Sequence, residues 1–168
     1  LKPARSARMP SLHVNRLPEF FIRLDAVRIG APVKHAIELA VLLFVRPSEL
    51  RCARWEEIDL EAGEWVIPAE RDRSRGLLGM KMREAHTVPL SRQAVEVFRM
   101  LRAHSGTGEL VFPNRNDPTR AMSDGTVNSA LRAMGYSAGE VTGHGFRATA
   151  ASALAEAGWR KEVIDRQL

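Results

Sequence analysis

The sequence predicts a mainly α-helical fold with a small antiparallel three-stranded β-sheet, an α+β fold, and three observations support this prediction. Apolar residues recur at spacings of three and four along most of the 168 residues, which is the period of amphipathic helices. Only three short runs have the character of strands, and the first two flank a turn that contains Gly63. A chain of this length is typical of one domain with a single core.

The first helices follow an N-terminal stretch that we interpret as a linker or arm. Residues 1–16 contain two prolines and five basic side chains, with no acidic residue and no helical apolar period. The helical pattern begins at Leu17, and a second, largely buried helix begins near Pro32. We therefore divide the chain into an arm, residues 1–16, and a folded domain, residues 17–168.

A corner is predicted at Arg46. Because Arg46 precedes Pro47, its backbone is disfavoured in the helical region, so the buried helix should break there. A new helix should begin with the proline in its first turn. Farther along, residues 58–60 and 64–67 are predicted to form a β-hairpin, and a third strand is expected within residues 86–90. The loop before this strand, RDRSRGLLGMKMRE, contains glycine and is rich in basic side chains.

The second half of the chain is predicted to be helical. Ser91 is expected to cap one helix, and Ser123 or Asp124 the next. Thr142 is expected to cap the helix that contains HGFRATAASALAEAG, which should stop at the glycine. A last helix is predicted to begin near Arg160 and to continue to the end of the sequence.

Composition and charge favour a nucleic-acid partner without requiring one. The net charge is +5, from 25 Lys and Arg against 20 Asp and Glu. No apolar run reaches the roughly 20 residues of a membrane helix, and no secretory signal is visible, so we expect a cytoplasmic protein without membrane insertion. The single cysteine, Cys52, excludes an intramolecular disulfide and a thiolate metal cluster. We expect neither a metal nor an organic cofactor.

Four segments carry the side chains of chemical interest. In chain order they are RPSEL at 46–50, Lys81 in the loop between the second and third strands, HTVPLS at 86–91 and HGFR at 144–147. His144 and Arg147 stand three residues apart, so both project from one face of their helix, opposite an apolar stripe. Taken alone, this pair also fits a solvated helix face.

The other three segments have simple interpretations as well. Arg46 fits a surface corner or an ion pair with Glu49, and Lys81 fits an exposed loop charge whose part Arg83 could equally take. His86 fits the edge of a strand, which is the interpretation we favour for it. The order of all four segments is therefore more informative than any one of them.

Together these segments resemble the phage-integrase family of tyrosine recombinases, especially bacteriophage and genomic-island integrases. In that family an arginine lies in an RxxEL segment after a buried helix, a lysine occupies a β-hairpin turn, a VPLS-like strand end follows, and HxxR opens a late helix. The resemblance also includes WEEIDL and WVIPAE, and it extends from about residue 17 to the C-terminus. It implies the following site: an arginine pair of Arg46 and Arg147, the hairpin lysine Lys81, the histidine His144 and the bracing acid Glu49.

These residue types suit phosphodiester chemistry. Displacement of an alkoxide concentrates negative charge on the non-bridging oxygens, and two guanidinium forks match those oxygens. A lysine is suited to protonate the leaving 5′ oxygen, and a histidine is suited either to handle the proton of the attacking group or to donate to phosphate. No HxH, CxxC or paired-carboxylate cluster is present, which argues against a metal nuclease. The arginines of the loop are expected to contact DNA: Arg71, Arg73, Arg75 and Arg83.

The resemblance implies site-specific recombination of double-stranded DNA, that is, integration or excision of mobile DNA through a 3′-phosphotyrosyl intermediate, by a homotetramer of the full-length enzyme. The nucleophile of the family is a tyrosine well downstream of HxxR, whereas Tyr136, the sole tyrosine here, precedes His144 in a predicted loop. We therefore expect a C-terminally incomplete catalytic domain without its nucleophile, inactive in cleavage and monomeric in isolation.

Three alternatives remain open on the sequence. A truncated integrase that binds DNA without cutting it would make the same phosphate contacts. A DNA topoisomerase of the tyrosine type resembles the same site, and strand exchange between two defined sites separates it from a recombinase. A basic helical scaffold with accidental motifs would have no DNA substrate.

Overall fold

A computed structural model describes residues 9–80 and 84–168, without the side chains of residues 166 and 167, and it confirms the predicted fold class. Its α-helices are α1 (Leu17–Ala26), α2 (Ala31–Leu43), α3 (Pro47–Arg51), α4 (Arg92–Ser105), α5 (Thr126–Ala133), α6 (Gly145–Glu156) and α7 (Lys161–Gln167). Its strands are β1 (Ile58–Asp59), β2 (Glu64–Ile67) and β3 (His86–Pro89). No helix in these ranges is both long and apolar enough to cross a membrane.

Helix α2 is the central helix of the core, as its apolar sequence predicts. It contacts α3, α4, α5 and α6, and its buried residues are Ala36, Ile37, Leu39, Ala40, Val41 and Leu43. A helix that is apolar on most sides is covered by neighbours on most sides. At its end Phe44 adopts a left-handed conformation, with φ 55° and ψ 17°, so the chain turns sharply before Arg46.

The three strands form one antiparallel sheet in the order β1-β2-β3, which confirms the predicted hairpin and third strand. Trp65 is the centre of the sheet, because it pairs with Ile58 on β1 and with Val88 on β3. Its ring is fully buried and lies 6.3 Å, centroid to centroid, from that of Phe98 on α4. The inner face of the sheet therefore joins the same core as the helices.

Of the three predicted helix caps, one lies at the N-cap position and the other two do not. The Ser91 hydroxyl accepts the Ala94 amide at 3.2 Å, as predicted. Helix α5 begins after Gly125, later than the predicted Ser123 or Asp124. The Thr142 hydroxyl accepts the amide of the first residue of α6 at 3.1 Å, although the residue at the N-cap position is His144.

Part of the predicted arm lies against α6. Leu12 is buried in the core, and its carbonyl oxygen accepts a hydrogen bond of 2.7 Å from the Thr149 hydroxyl. A Cβ atom placed on Gly145 would lie 2.0 Å from the carbonyl oxygen of Pro10, so the two backbones are in direct contact. The division of the chain at residue 17 stays a prediction, but the arm is packed where it crosses α6.

Candidate active site

Arg46 lies at the corner that the following proline predicts. It is the N-cap of α3 in an extended conformation, φ −67° and ψ 142°, with Pro47 in the first turn. Glu49 holds it twice, because Oε2 accepts the Arg46 backbone N–H at 2.9 Å and Oε1 accepts Nη1 at 2.8 Å. The Glu49 side chain is only 3% exposed, against 24% for that of Arg46. The buried carboxylate thus fixes both the backbone and the guanidinium of Arg46.

Arg147, in the first turn of α6, is held by a backbone carbonyl. Its Nη1 donates to the carbonyl oxygen of Phe44 at 2.7 Å. Phe44 is the only non-glycine residue with a positive φ in the part of the chain that the structure describes. Such a conformation is uncommon for a bulky residue. The corner that presents Arg46 therefore also anchors Arg147.

The charges of Arg46 and Glu49 affect the pKa of Arg147. Burial lowers the pKa of Arg147, the Arg46 guanidinium lowers it further, and the Glu49 carboxylate opposes both effects. An arginine remains protonated despite such a shift. At Arg147, two guanidinium groups therefore stand near one carboxylate, and a bound anion would relieve the repulsion between the two positive charges.

The two arginines and Glu49 line one open cavity of about 640 Å³. The remaining lining residues are Val45, Met80, Glu84, Ala85, His86, Thr87, Val163, Asp165 and Leu168. The cavity is thus bounded by the α2–α3 corner, the start of β3, α6 and α7. The structure brings Arg46 and Arg147 together although 100 residues separate them in the sequence.

The other predicted site residues are placed differently. His144 is exposed, one turn before Arg147, and its carbonyl oxygen accepts the Arg147 amide at 3.3 Å. It is not among the residues that line the cavity. Lys81 and Arg83 lie outside the described residues, so their predicted roles stay predictions.

The prediction of a DNA contact at Arg71 is corrected by the structure. Its side chain is 0% exposed and forms an ion pair with Glu57, with 2.6 Å between Nη2 and Oε2. Arg73 is exposed, and its DNA contact stays a prediction. Arg75 is half-buried and donates to the Glu109 carboxylate at 2.9 Å and to the Thr119 carbonyl at 2.7 Å, so DNA would compete with these partners.

Two further residues clarify the site. His86, which we interpreted as a strand-edge residue, lines the cavity. Thr87, the next residue, lines the cavity as well, so the alternation of the strand alone did not indicate this position. Tyr136 is buried, with Phe20 5.7 Å and the Arg23 guanidinium 4.9 Å from its ring, and it does not line the cavity. Burial raises the pKa of the Tyr136 hydroxyl.

Outside residues 1–8 and 81–83, no group of three or more His, Cys, Asp or Glu side chains is arranged to hold a metal ion.

Sequence comparison connects the chain with integrases. A sequence model described as the phage integrase family matches residues 11–168. Over its full length the chain is 48% identical to the integrase of Enterobacteria phage P4, of which it covers 40%. Over 95% of its length it is 44% identical to the putative protein IntB of Escherichia coli (strain K12), of which it covers 42%. The chain thus spans about two fifths of the length of these curated relatives.

Solved structures share the fold. The Tn1549 transposon integrase in complex with circular intermediate DNA superposes with a TM-score of 0.74 at 14% identity, covering 97% of this chain and 59% of that one. The XerA recombinase superposes with a TM-score of 0.68 at 19% identity, covering 100% of this chain and 57% of the other. At these identities the likeness shows the fold alone.

Proposed function

Because the chain belongs to the phage integrase family, we propose that it forms the phosphate-binding part of the active site of a tyrosine recombinase. The whole protein would integrate or excise mobile DNA by cutting and rejoining strands. One observation carries the proposal: Arg46 and Arg147 line the same cavity, where Glu49 of the same helix holds Arg46 and the distant Phe44 carbonyl holds Arg147. The similar proteins include an integrase of a phage, a transposon integrase in complex with DNA and a recombinase, which supports DNA as the substrate.

The arrangement suits a scissile phosphate. A guanidinium fork donates two parallel hydrogen bonds to phosphate oxygens, and it does so best when no reorganisation is needed during reaction. Glu49 and the Phe44 carbonyl each engage Nη1 of one arginine, and the other N–H groups of each fork are the donors we assign to phosphate. The two guanidinium groups favour a diester, which carries one negative charge, and they favour its more highly charged pentavalent transition state more strongly.

The remaining roles complete the chemistry. A tyrosine outside these 168 residues attacks phosphorus, its proton passes to His144, and the bond from phosphorus to the 5′ oxygen breaks. Lys81 protonates that oxygen, and the product is a 3′-phosphotyrosine with a free 5′ hydroxyl. Attack by another 5′ hydroxyl reverses the step on a new partner strand. No external energy source is needed, since the phosphotyrosyl bond conserves the energy of the diester.

We also propose the assembly in which this happens. The full-length protein acts in the cytoplasm as a homotetramer on two DNA duplexes, and the isolated chain is a monomer. Glu49 braces Arg46, while Arg73 and Arg83, with Arg75 where it is released from Glu109, contact the DNA backbone.

The test uses the complete protein that contains this chain and a duplex that carries its recombination site with a nick beside the scissile phosphate. Cleavage then frees the short strand between the scissile phosphate and the nick. Because this strand carries the 5′ hydroxyl that would rejoin the DNA, its loss makes the covalent intermediate accumulate. The wild-type protein is expected to become linked to a 3′ DNA end, and the Arg46→Ala variant is expected to give no such product. Normal linkage by Arg46→Ala would contradict the proposed site. A covalent adduct formed by the 168-residue chain alone would contradict the assignment of the nucleophile.

A further inference from the structure

The buried Arg71 side chain joins three parts of the fold beside the cavity. Its Nε and Nη2 bind the two carboxylate oxygens of Glu57 at 2.7 and 2.6 Å. Its Nη1 donates to the carbonyl oxygens of Glu49 at 3.1 Å and of Leu78 at 2.7 Å. One guanidinium therefore connects the turn before β1, helix α3 and the loop between β2 and β3.

Helix α3 depends on such a contact because it is a single turn. It spans Pro47–Arg51, and a helix this short has little stability of its own. The carbonyl groups of a last turn lack partners within the helix, and Arg71 satisfies that of Glu49. A cation at this end of a helix also interacts favourably with the carbonyl dipoles.

The same Glu49 holds Arg46 through its side chain. Its two carboxylate oxygens bind the Arg46 backbone N–H and Nη1, at 2.9 and 2.8 Å. Contacts thus run without a gap from Arg71 to the Glu49 backbone, and from the Glu49 carboxylate to the guanidinium that faces the cavity. We propose that Arg71 is a positioning residue that sets the place of Arg46 through Glu49. The inference rests on the proposed function, in which Arg46 binds phosphate.

If Arg71 acts only on stability, a variant that regains the stability of the wild type should also regain its phosphate affinity. Two variants distinguish this role from positioning of Arg46. Arg71→Met leaves the Glu57 carboxylate buried without its partner, which is strongly destabilising. Arg71→Met combined with Glu57→Gln removes that unpaired charge. The amide oxygen of the glutamine still accepts from Trp65 Nε1 and the Arg54 backbone N–H, which the carboxylate now binds at 3.1 and 3.2 Å.

The probe is inorganic phosphate, titrated into the isolated chain and followed by the NMR signals of the arginine Nε–H groups. The double variant is expected to regain the unfolding temperature lost in Arg71→Met, yet to bind phosphate about tenfold more weakly than wild type, because small displacements of a ligating group have large effects. Arg71→Lys keeps a charge opposite Glu57 without the fork that reaches Glu49, so the same loss is expected.

Arg54→Met is the matched control. The Arg54 side chain is 28% exposed, and it pairs with Glu56 at 2.7 Å and Glu109 at 2.8 Å rather than with α3. We expect Arg54→Met to lose stability and to bind phosphate as wild type does. Wild-type affinity in both the double variant and Arg71→Lys would overturn the inference and leave Arg71 a role in stability alone.

The same titration distinguishes rejection of the inference about Arg71 from rejection of the proposed function. Arg46→Ala and Arg147→Ala are expected to weaken phosphate binding at least as much as the Arg71 variants. If both alanine variants bind phosphate as tightly as wild type, the cavity is not a phosphate site, and the inference about Arg71 falls with it. If they bind weakly while the Arg71 variants bind normally, only the inference about Arg71 is overturned.

Discussion

Arg147 donates a hydrogen bond of 2.7 Å to the carbonyl oxygen of Phe44, which lies 103 residues earlier in the chain. Phe44 is the C-cap of α2, and its left-handed backbone precedes Arg46 by two positions. The bond therefore connects the helix that carries one arginine to the corner that carries the other. A local backbone conformation that is unfavourable for phenylalanine becomes part of the site.

The left-handed conformation of Phe44 leads to a prediction about stability. Phe44→Ala and Phe44→Gly both remove the ring, but only glycine adopts a φ of 55° without a steric cost. We expect the glycine variant to be more stable than the alanine variant by about 1 kcal/mol. Chemical denaturation of the two variants measures the difference, and a more stable alanine variant would show that the conformation is not maintained.

Arg147 is predicted to act in cleavage more than in DNA binding. In the complete protein, Arg147→Ala should slow cleavage of a nicked duplex by about a hundredfold to a thousandfold, the usual effect of losing one donor to the transition state. Binding of the duplex, measured by a gel shift, should fall much less because many other contacts remain. Arg147→Lys should also cleave slowly, since an ammonium group lacks the fork. Normal cleavage by either variant would remove Arg147 from the site.

Glu49 is predicted to stabilise the corner through its carboxylate. Glu49→Gln keeps one acceptor for the Arg46 backbone N–H but loses the charge, and it should lower the free energy of unfolding by about 1–3 kcal/mol. Glu49→Ala should lower the free energy of unfolding further, because the Arg46 backbone N–H then loses its acceptor. Equal stability of Glu49→Gln and wild type would mean that the ion pair at 2.8 Å contributes little.

Tyr136 is predicted to matter for alkaline stability and not for catalysis. Its hydroxyl is buried, with no hydrogen-bond partner among the described residues, and burial raises its pKa above the usual 10.0. A raised pKa in the folded state stabilises the protein fully below the unfolded pKa, and this stabilisation is lost as the pH rises through the folded pKa. Unfolding temperatures measured across this alkaline range should therefore fall less steeply for Tyr136→Phe than for wild type.

The same Tyr136→Phe variant also tests the assignment of the nucleophile. The complete protein carrying this change should cleave DNA at the wild-type rate, because Tyr136 does not line the cavity. Loss of the covalent product in Tyr136→Phe would show that the tyrosine in this sequence is the nucleophile after all.

Binding of duplex DNA by the isolated chain is predicted to weaken as salt rises. Each phosphate contact made by Lys or Arg releases about one counterion, so the logarithm of the binding constant should fall linearly with the logarithm of the salt concentration. Fluorescence anisotropy over a series of salt concentrations measures the slope. A constant affinity across the series would favour the scaffold interpretation over a phosphate-binding protein.

The elements with strong local signals were predictable from the sequence. Pro47 fixed the break before α3 by local sterics, and the hydroxyl of Ser91 marked the start of α4 where the structure has it. The three strands followed from short apolar runs beside turn residues, whereas their register, in which Trp65 pairs with Val88, comes from the structure. The family resemblance of the four motifs implied that Arg46 and Arg147 lie together, and both line one cavity.

Features that depend on distant contacts were not predictable in this way. Arg71 and Arg73 look alike in a basic loop, and only the fold shows that Glu57 and two carbonyl groups enclose the first of them. The left-handed conformation of Phe44 has no local sequence signal, since glycine or asparagine is the usual residue there. The position of His86 on the cavity required the sheet register together with the position of the corner.

The central claim is that Arg46 and Arg147 together bind one phosphate. Titration of the ¹⁵N-arginine-labelled chain with inorganic phosphate tests it most directly. Both Nε–H signals should shift along one binding curve with a single dissociation constant, and the Arg46→Ala variant should weaken the response of Arg147. Separate dissociation constants for the two arginines, or an Arg147 response that Arg46→Ala leaves unchanged, would contradict a shared phosphate site.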